Sequence, residues 1–287
     1  MRYEAPDSLE QAVKLLVSDE ADARVLAGGT DLIVQMRSEI IDPRLVVDVK
    51  RIAELREISE ADGAFKIGAA VSGAELKEHP RLKKVWPGVV EAANLIGSYQ
   101  VQGRATLGGN LCNASPAADS VPALIAAGAR AIVFGPNGRR EVAVEDVVLA
   151  PRKTSLARGE IIVAFQLPRK AARSGDAYLR FIPRTEMDIA VVGCGVCVTL
   201  DGAGVVTAAR MALGAVAARQ VLVPGVDQAL IGSKLDDAAL EKLVAAARAA
   251  CSPIDDKRGT REFRIKIAGV LARRTALIAY DRAKASA

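Results

Sequence analysis

A chain of 287 residues with 51% hydrophobic but only 3% aromatic side chains draws its core from Ala, Val, Leu and Ile, which excludes a disordered protein. The net charge of +5, from 39 basic and 34 acidic residues, is too modest to announce a nucleic-acid-binding protein. MRYEAPDSLE lacks the apolar stretch of a signal peptide, and the longest apolar run, VPALIAAGARAIVFG, is broken by Arg130. No membrane span is expected, and the expected location is cytoplasmic.

Ser8 followed by Gln11, with Asp7 and Glu10 beside them, resembles a capping box, and Leu9, Ala12, Val13, Leu15 and Leu16 repeat at helical spacing. ARVLA (23–27) reads as a short buried strand that Gly28 and Gly29 turn. TDLIVQMRSEI then begins a second helix with Thr30 as its cap, and RLVVDV (44–49) is the next strand. The opening of the chain therefore reads α, β, α, β.

AFKIGAAV (64–71) is a strand, and GAELKEHPRLKKVWPGVVEAANLIG is a helical region that Pro80 and Pro87 divide. SYQVQGRATLGGN follows as a polar loop. Ser115 and Pro116 have the chemistry of an N-cap and first helical residue, opening AADSVPALIAAG. Residues 130–144 form two apolar strands around Pro-Asn-Gly, a hairpin signal, and GEIIVAFQLP (159–168) is a further strand. After a polar linker, RKAARSGD (169–176), the texture changes to antiparallel strands with an Asp-Gly turn at 201 and 202. An amphipathic helix is expected over 235–250 and a second helix over 262–280. The expected fold class is α+β, with subdomains at 1–55 and 56–172 and a separate C-terminal α+β domain at 173–287.

Two glycine pairs carry the functional signal: VLAGGTDL (25–32) and TLGGNLCNASPAAD (106–119). A glycine pair permits positive φ and close approach, so amide N–H groups can converge on an anion beside a helix N-terminus. Thr106 and Ser115 add hydroxyls to the second loop, and Asp31 and Asp119 can accept hydrogen bonds from sugar hydroxyls. Each loop by itself reads first as a turn. Neither is a G-x-G-x-x-G fingerprint or a P-loop, while two together suit a pyrophosphate bridge.

Catalytic chemistry is sparse. His79, the only histidine, lies among charged, surface-like neighbours, so neither a Ser-His-Asp triad nor a histidine metal site is expected. Cys194 and Cys197 of CGVC point to opposite faces of a strand and read as buried structural thiols. The four cysteines lack cluster-ligand spacing, and the pattern suits a reducing compartment. No catalytic residue and no metal is assigned. Cys112 is close enough to line the second loop's pocket or to act as a small apolar filler, and Tyr99 stands at the loop entrance. The basic stretch 255–274 reads as a solvated helix face or a subunit contact.

AGGTDL and TLGGNLCNASPAAD, in this order, together with MDIAVV (187–192), resemble the FAD-binding medium subunit of molybdenum hydroxylases, of the carbon monoxide dehydrogenase and xanthine dehydrogenase type. The resemblance covers essentially the whole chain. It implies a two-subdomain FAD-binding fold like that of the vanillyl-alcohol oxidase superfamily, followed by a flavoprotein C-terminal domain. It also implies FAD contacts from Val25, Leu26, Ala27, Gly28, Gly29, Thr30, Asp31 and Leu32 on one wall. Gly97, Thr106, Gly108, Gly109, Asn110 and Asp119 form the other, with Ile162 at the flavin and Arg180 where some relatives carry a Lys. The implied partners are a molybdopterin-containing large subunit and a two-iron two-sulfur small subunit, paired as a heterohexamer. The implied role is electron transfer from those clusters through FAD to NAD, a quinone or oxygen. The alternatives are a self-sufficient flavin oxidase or reductase of the same superfamily, or a non-catalytic nucleotide-binding module.

Overall fold

The computed structural model describes residues 1–18 and 22–286. The first lobe runs β1 (Arg2–Glu4), α1 (Leu9–Val17), β2 (Ala23–Leu26), α2 (Leu32–Arg37) and β3 (Leu45–Asp48), and its strands pair in parallel in the order β1–β3–β2. The cap of α1 forms as its sequence requires: Ser8 Oγ accepts from the Gln11 amide at 3.3 Å, and Gln11 Oε1 accepts from the Asp7 amide at 3.3 Å. Leu9, Ala12, Val13 and Leu16 then bury one face of α1 against Leu45 and Val47. The parallel strand β1, which the α, β, α, β reading lacks, is three residues long and largely exposed, so it has no apolar alternation to announce it.

The second lobe begins with β4 (Ile58–Ala61), β5 (Ala64–Gly68), α3 (Gly73–Glu78), α4 (Leu82–Val85) and α5 (Pro87–Ala93). Pro80 and Pro87 fall at the breaks, as their missing N–H groups require. His79 ends α3, its Nδ1 accepting from the Leu82 amide at 3.1 Å, which gives the lone histidine a capping role. The segment expected to be a polar loop contains α6 (Tyr99–Gln102) and α7 (Leu107–Cys112), so the second glycine pair lies in the first turn of a helix. The following helix, α8 (Ser120–Ala126), starts later than Ser115 and Pro116 suggest, because Ser115 Oγ accepts from the Ala117 amide at 3.3 Å in a turn of its own.

β6 (Arg130–Gly135) and β7 (Gly138–Ala143) form the expected hairpin, with Gly135 opposite Gly138 across Pro136-Asn137. A small hairpin of β8 (Val148–Ala150) and β9 (Lys153–Thr154) precedes β10 (Ile161–Leu167), which completes an antiparallel five-stranded sheet ordered β4–β5–β10–β6–β7. β10 is the wall between two cores. Ile161 and Val163 pack with the first lobe, whereas Ile162, Phe165 and Leu167 pack with the central helices. A register shift between Ile162 and Ala164 accommodates both.

The C-terminal part comprises β11 (Ser174–Phe181), β12 (Val192–Leu200), β13 (Val206–Gly214) and β14 (Val221–Leu222), an antiparallel four-stranded sheet in sequence order. α9 (Val226–Leu230), α10 (Asp237–Ala249) and α11 (Arg261–Ala285) bury its outer face. Cys194 joins that core, and Cys197 packs against the central core across the sheet, so the CGVC thiols do face opposite ways. Burial pushes both thiols up to about 12. Much of the basic 255–274 stretch is paired: Arg264 is buried and donates to the Val191 and Ala215 carbonyls and to Asp256, and Arg273 reaches Asp237 and Glu241 on α10. Among the described residues no helix is long and apolar enough to cross a membrane.

The linker expected at 169–176 is an anchor. Asp176, 3% exposed, pairs with Lys170, and its Oδ2 accepts from the Val89 amide at 3.3 Å in the first turn of α5. Lys170 also donates to the Val85 carbonyl at 2.6 Å and lies 4.6 Å from the Trp86 ring centre. The carboxylate thus satisfies a helix N-terminus and an ammonium at once. Asp176→Ala leaves the buried Lys170 charge unpaired, and a loss of about 3–5 kcal/mol is expected in chemical denaturation of the full chain.

Candidate functional site

The two glycine loops meet because Gly28 has no side chain. A Cβ there would stand 2.0 Å from the Arg104 carbonyl oxygen and 3.2 Å from Ala105 Cα, so the first loop rests on the main chain that leads into the second. Gly29 then turns the chain at φ +76°, with Leu26 Cδ1 and Ile33 Cδ1 close beneath it. The Ala27 carbonyl is held from below by Lys50 Nζ at 3.1 Å, and Lys50 is itself gripped by Asp48 at 2.8 Å. Helix α2 starts at Leu32, with Asp31 rather than Thr30 in the cap position and no side-chain cap bond. Among the described residues, the N–H groups of Gly28, Gly29, Thr30, Asp31 and Leu32 donate to no protein acceptor.

The second loop is built differently. Its amides are consumed within the protein: Gly108 donates to the Ala69 carbonyl at 3.1 Å, Gly109 to Thr106 Oγ1 at 3.0 Å, and Asn110 to the Thr106 carbonyl at 3.0 Å. A Cβ at Gly108 would lie 2.6 Å from the Ala69 oxygen, so that glycine serves packing on the end of β5. At Gly109 a Cβ would meet only Thr106 Oγ1, at 3.1 Å, and the protein does not otherwise fill that space. Asn110 Oδ1 accepts from the Ser120 amide and hydroxyl at 3.2 and 2.7 Å, which commits its NH2 group to some other acceptor.

Between the loops lies a cleft of about 560 Å³. Val25, Ala27, Gly28, Gly29, Thr30, Asp31 and Leu32 line one wall. Thr106, Gly108, Gly109, Asn110 and Ile162 line the other. Leu26, Gly97, Asp119 and Arg180 do not line it. Leu26 lies beneath the first turn, and Gly97 (φ +64°) turns the chain beside Ile96, which is in the cleft wall. Asp119 and Arg180 form an ion pair at 2.8 Å, and Tyr178 donates to Asp119 at 3.1 Å. Their side chains are only 10% and 5% exposed. This cluster joins the segment after the second loop to β11.

Sequence reasoning missed Gln35, Asn113, Arg152 and Thr154, all of which line the cleft. Gln35 donates to Asn113 at 3.1 Å, the contact that bridges α2 to the turn after α7. Cys112 is exposed in the cleft wall, while Tyr99 stands outside it with Lys77 Nζ 5.6 Å from its ring centre. Among the described residues no cluster of His, Cys, Asp and Glu is arranged to hold a metal. Burial raises the Asp31 carboxyl, and burial pushes Asp119 up to about 6 against the pull of Arg180 and Tyr178.

Unused amides at a helix start, a glycine with open space before it and a walled cleft define a binder of an extended anionic cofactor. Residues 1–170 match the FAD binding domain in molybdopterin dehydrogenase, and residues 177–279 match the CO dehydrogenase flavoprotein C-terminal domain. The chain belongs to this family of FAD-binding subunits of molybdenum-containing oxidoreductases, and its cofactor is FAD. It is 34% identical to the carbon monoxide dehydrogenase medium chain of Hydrogenophaga pseudoflava, over 98% of this chain and 97% of that one. It is 32% identical to a putative xanthine dehydrogenase FAD-binding subunit of Escherichia coli, over 92% and 91% of the two chains. The structure of Hydrogenophaga pseudoflava carbon monoxide dehydrogenase superposes with a TM-score of 0.94, at 34% identity and 98% coverage of both chains. Quinoline 2-oxidoreductase from Pseudomonas putida 86 gives 0.89 at 29% identity, covering 99% of this chain and 98% of that one.

Two expectations follow from the geometry. Gly109→Val should keep the fold at the cost of loosening the Thr106 cap, since a Cβ there meets only the Thr106 hydroxyl at 3.1 Å, but it fills cleft space, so the purified variant loses FAD. Gly28→Ala collides with main chain and lowers the melting temperature even without cofactor. Asp119 gives a pH signature. Its folded value of about 6 lies above its ordinary 3.8, so only between those two values does the native state hold a proton that the unfolded chain does not. Its contribution to stability is full below the ordinary value and is lost as pH rises through about 6. Melting curves of wild type and Asp119→Asn should therefore diverge in favour of wild type on acidification through that window.

Proposed function

We propose that this chain is the electron-transfer flavin subunit of a heterotrimeric molybdenum hydroxylase. On this reading it takes electrons from iron–sulfur clusters of a small subunit that serves a molybdopterin-containing large subunit, and delivers them to an external acceptor such as NAD, a quinone or oxygen. The observation that carries the reading is the run of unused amides from Gly28 to Leu32 facing Gly109 across one cleft, in a chain that matches its relatives nearly end to end. Bound FAD supplies the redox chemistry, and the protein supplies binding and orientation.

The pyrophosphate rests on the first-loop amides, with the Asn110 NH2 group and the space at Gly109 opposite. Residues 1–55 and 56–172 act as the two clasping subdomains. Leu26 and Gly97 shape the turns behind the walls, and the Asp119–Arg180 pair supports the second wall from the C-terminal domain. The cleft lining includes no histidine, and His79 is committed as a helix cap, so a self-sufficient oxidase with a histidine base has no residue here to carry it.

The full chain should purify yellow or take up FAD on reconstitution, with flavin absorbance released on denaturation. The native complex should contain molybdenum and iron together with FAD. A chain that stays colourless in excess FAD would overturn the binding reading. A flavin-loaded chain that oxidises a substrate without partner chains would overturn the subunit reading.

A further inference from the structure

One feature of the cleft belongs to neither glycine loop. The hairpin of β8 and β9 turns through Pro151 and Arg152, with Ala150 paired to Lys153. Proline suits the second position of such a turn, but Arg152 occupies the third position at φ +60°, where glycine or asparagine is the low-strain choice. Its amide donates to the Ala114 carbonyl at 3.1 Å, and Ala114 is itself at φ +50° just beyond α7. The strained turn is thus fastened to the wall that carries the second glycine pair. Of the eight non-glycine residues at positive φ among the described residues, Arg152 is the one that lines the cleft.

The charges around the cleft narrow that use. Arg24 pairs with Asp22 at 3.0 Å, and Arg158 donates to the Ser18 carbonyl. Glu160 is held by Arg140 Nε and Nη2, each at 2.6 Å. The Arg152 guanidinium has no protein partner among the described residues, although it lines the cleft. Asp31 is the remaining carboxylate in the lining.

We propose that Arg152 is a cofactor-binding residue that grips the diphosphate of FAD across the cleft from the Gly28–Leu32 amides. The inference rests on the FAD-binding reading above. Main-chain amides carry only partial charges, and the diphosphate diester bears two full negative charges, so a guanidinium making charge-assisted bonds adds the full positive charge that the amides lack. A planar, two-pronged donor fits phosphate oxygens better than an ammonium does.

The test uses the full chain stripped of flavin, with FAD and ADP as probes, in wild type, Arg152→Gly, Arg152→Ala and Arg152→Lys. Wild type that binds neither probe removes the FAD-binding reading itself. With wild type binding, Arg152→Gly and Arg152→Ala should each weaken FAD and ADP by roughly tenfold or more, and Arg152→Lys should recover only part of that. Arg152→Gly should also melt at a higher temperature than cofactor-free wild type, because glycine relieves the left-handed strain. Opposite changes in stability and affinity are the signature of a residue kept for its ligand. Unchanged ADP affinity in Arg152→Ala overturns the proposal. So does a variant that alters only the reduction potential of bound FAD, since that would place the guanidinium at the flavin ring. A loss of stability in Arg152→Gly that accounts for the loss of binding would mark a structural residue and equally overturn it.

Discussion

The contact on which the site depends is the one between Gly28 and the main chain of Arg104 and Ala105. A Cβ at Gly28 would be 2.0 Å from the Arg104 oxygen, so any other residue would push the first lobe away from the second. With glycine, the loop after β2 lies directly on the strand-like stretch before α7. That stretch is fixed in turn by an isolated bridge between Ser72 and Thr106 and by the Gly73 amide donating to the Ala105 carbonyl at 2.9 Å. The cleft is therefore a consequence of backbone packing. One side-chain contact adds to that packing: Gln35 of α2 donates to Asn113, beyond α7, at 3.1 Å.

The two glycine pairs look alike in sequence and divide the labour unequally. In each, the first glycine permits contact between main chains: Gly28 on Arg104 and Gly108 on Ala69. The second glycines differ: Gly29 turns the chain at positive φ over Leu26 and Ile33, whereas Gly109 has open space before it. The hydrogen-bonding capacity is asymmetric. First-loop amides remain available, because α2 begins beyond a left-handed glycine with no side-chain cap. Second-loop amides are spent, because Thr106 caps α7 and Ala69 receives Gly108. An anion is thus drawn to one wall, while the other wall contributes shape and the Asn110 side chain.

How much of this was legible follows the same physical lines. α1, α5, α10, the 130–144 hairpin and β10 show in the sequence because each announces itself through capping, proline, turn or apolar spacing. Helices α6 and α7 were hidden, since Gly, Gln, Ser and Thr favour turns and both helices take their stability from tertiary contacts. The glycine loops and Ile162 could be placed from their residues and the family resemblance, and the structure brings them to one cleft. Asp119 and Arg180 sit in an ion pair behind the wall, a distinction that no linear motif encodes. Arg152 is the instructive omission. Its Pro-Arg turn went unread in the sequence, and the positive φ that makes arginine anomalous there is a fact of conformation. Lys170 and Asp176 were read as linker for a related reason, because burial of a charged pair leaves no trace in local polarity.

The Asp119 cluster shows how the C-terminal domain is tied to a site that it does not line. Asn110 in the cleft wall is held by Ser120, the residue next to Asp119. Asp119 is bound in turn by Tyr178 and Arg180 of β11, and at the other end of that strand Asp176 reaches the start of α5. The opposite face of the same sheet is covered by α11, so one strand connects the C-terminal core to the wall of the cleft. A ligand that orders Asn110 therefore acts on a chain of buried polar contacts whose far end is the packing of another domain. Buried polar contacts of this kind tolerate few alternative arrangements, because each broken bond leaves an unsolvated group behind. Docking of the C-terminal domain and the shape of the second wall are for that reason a single structural commitment, in which only Asn110 lines the cleft and the Asp119, Tyr178 and Arg180 side chains lie behind it.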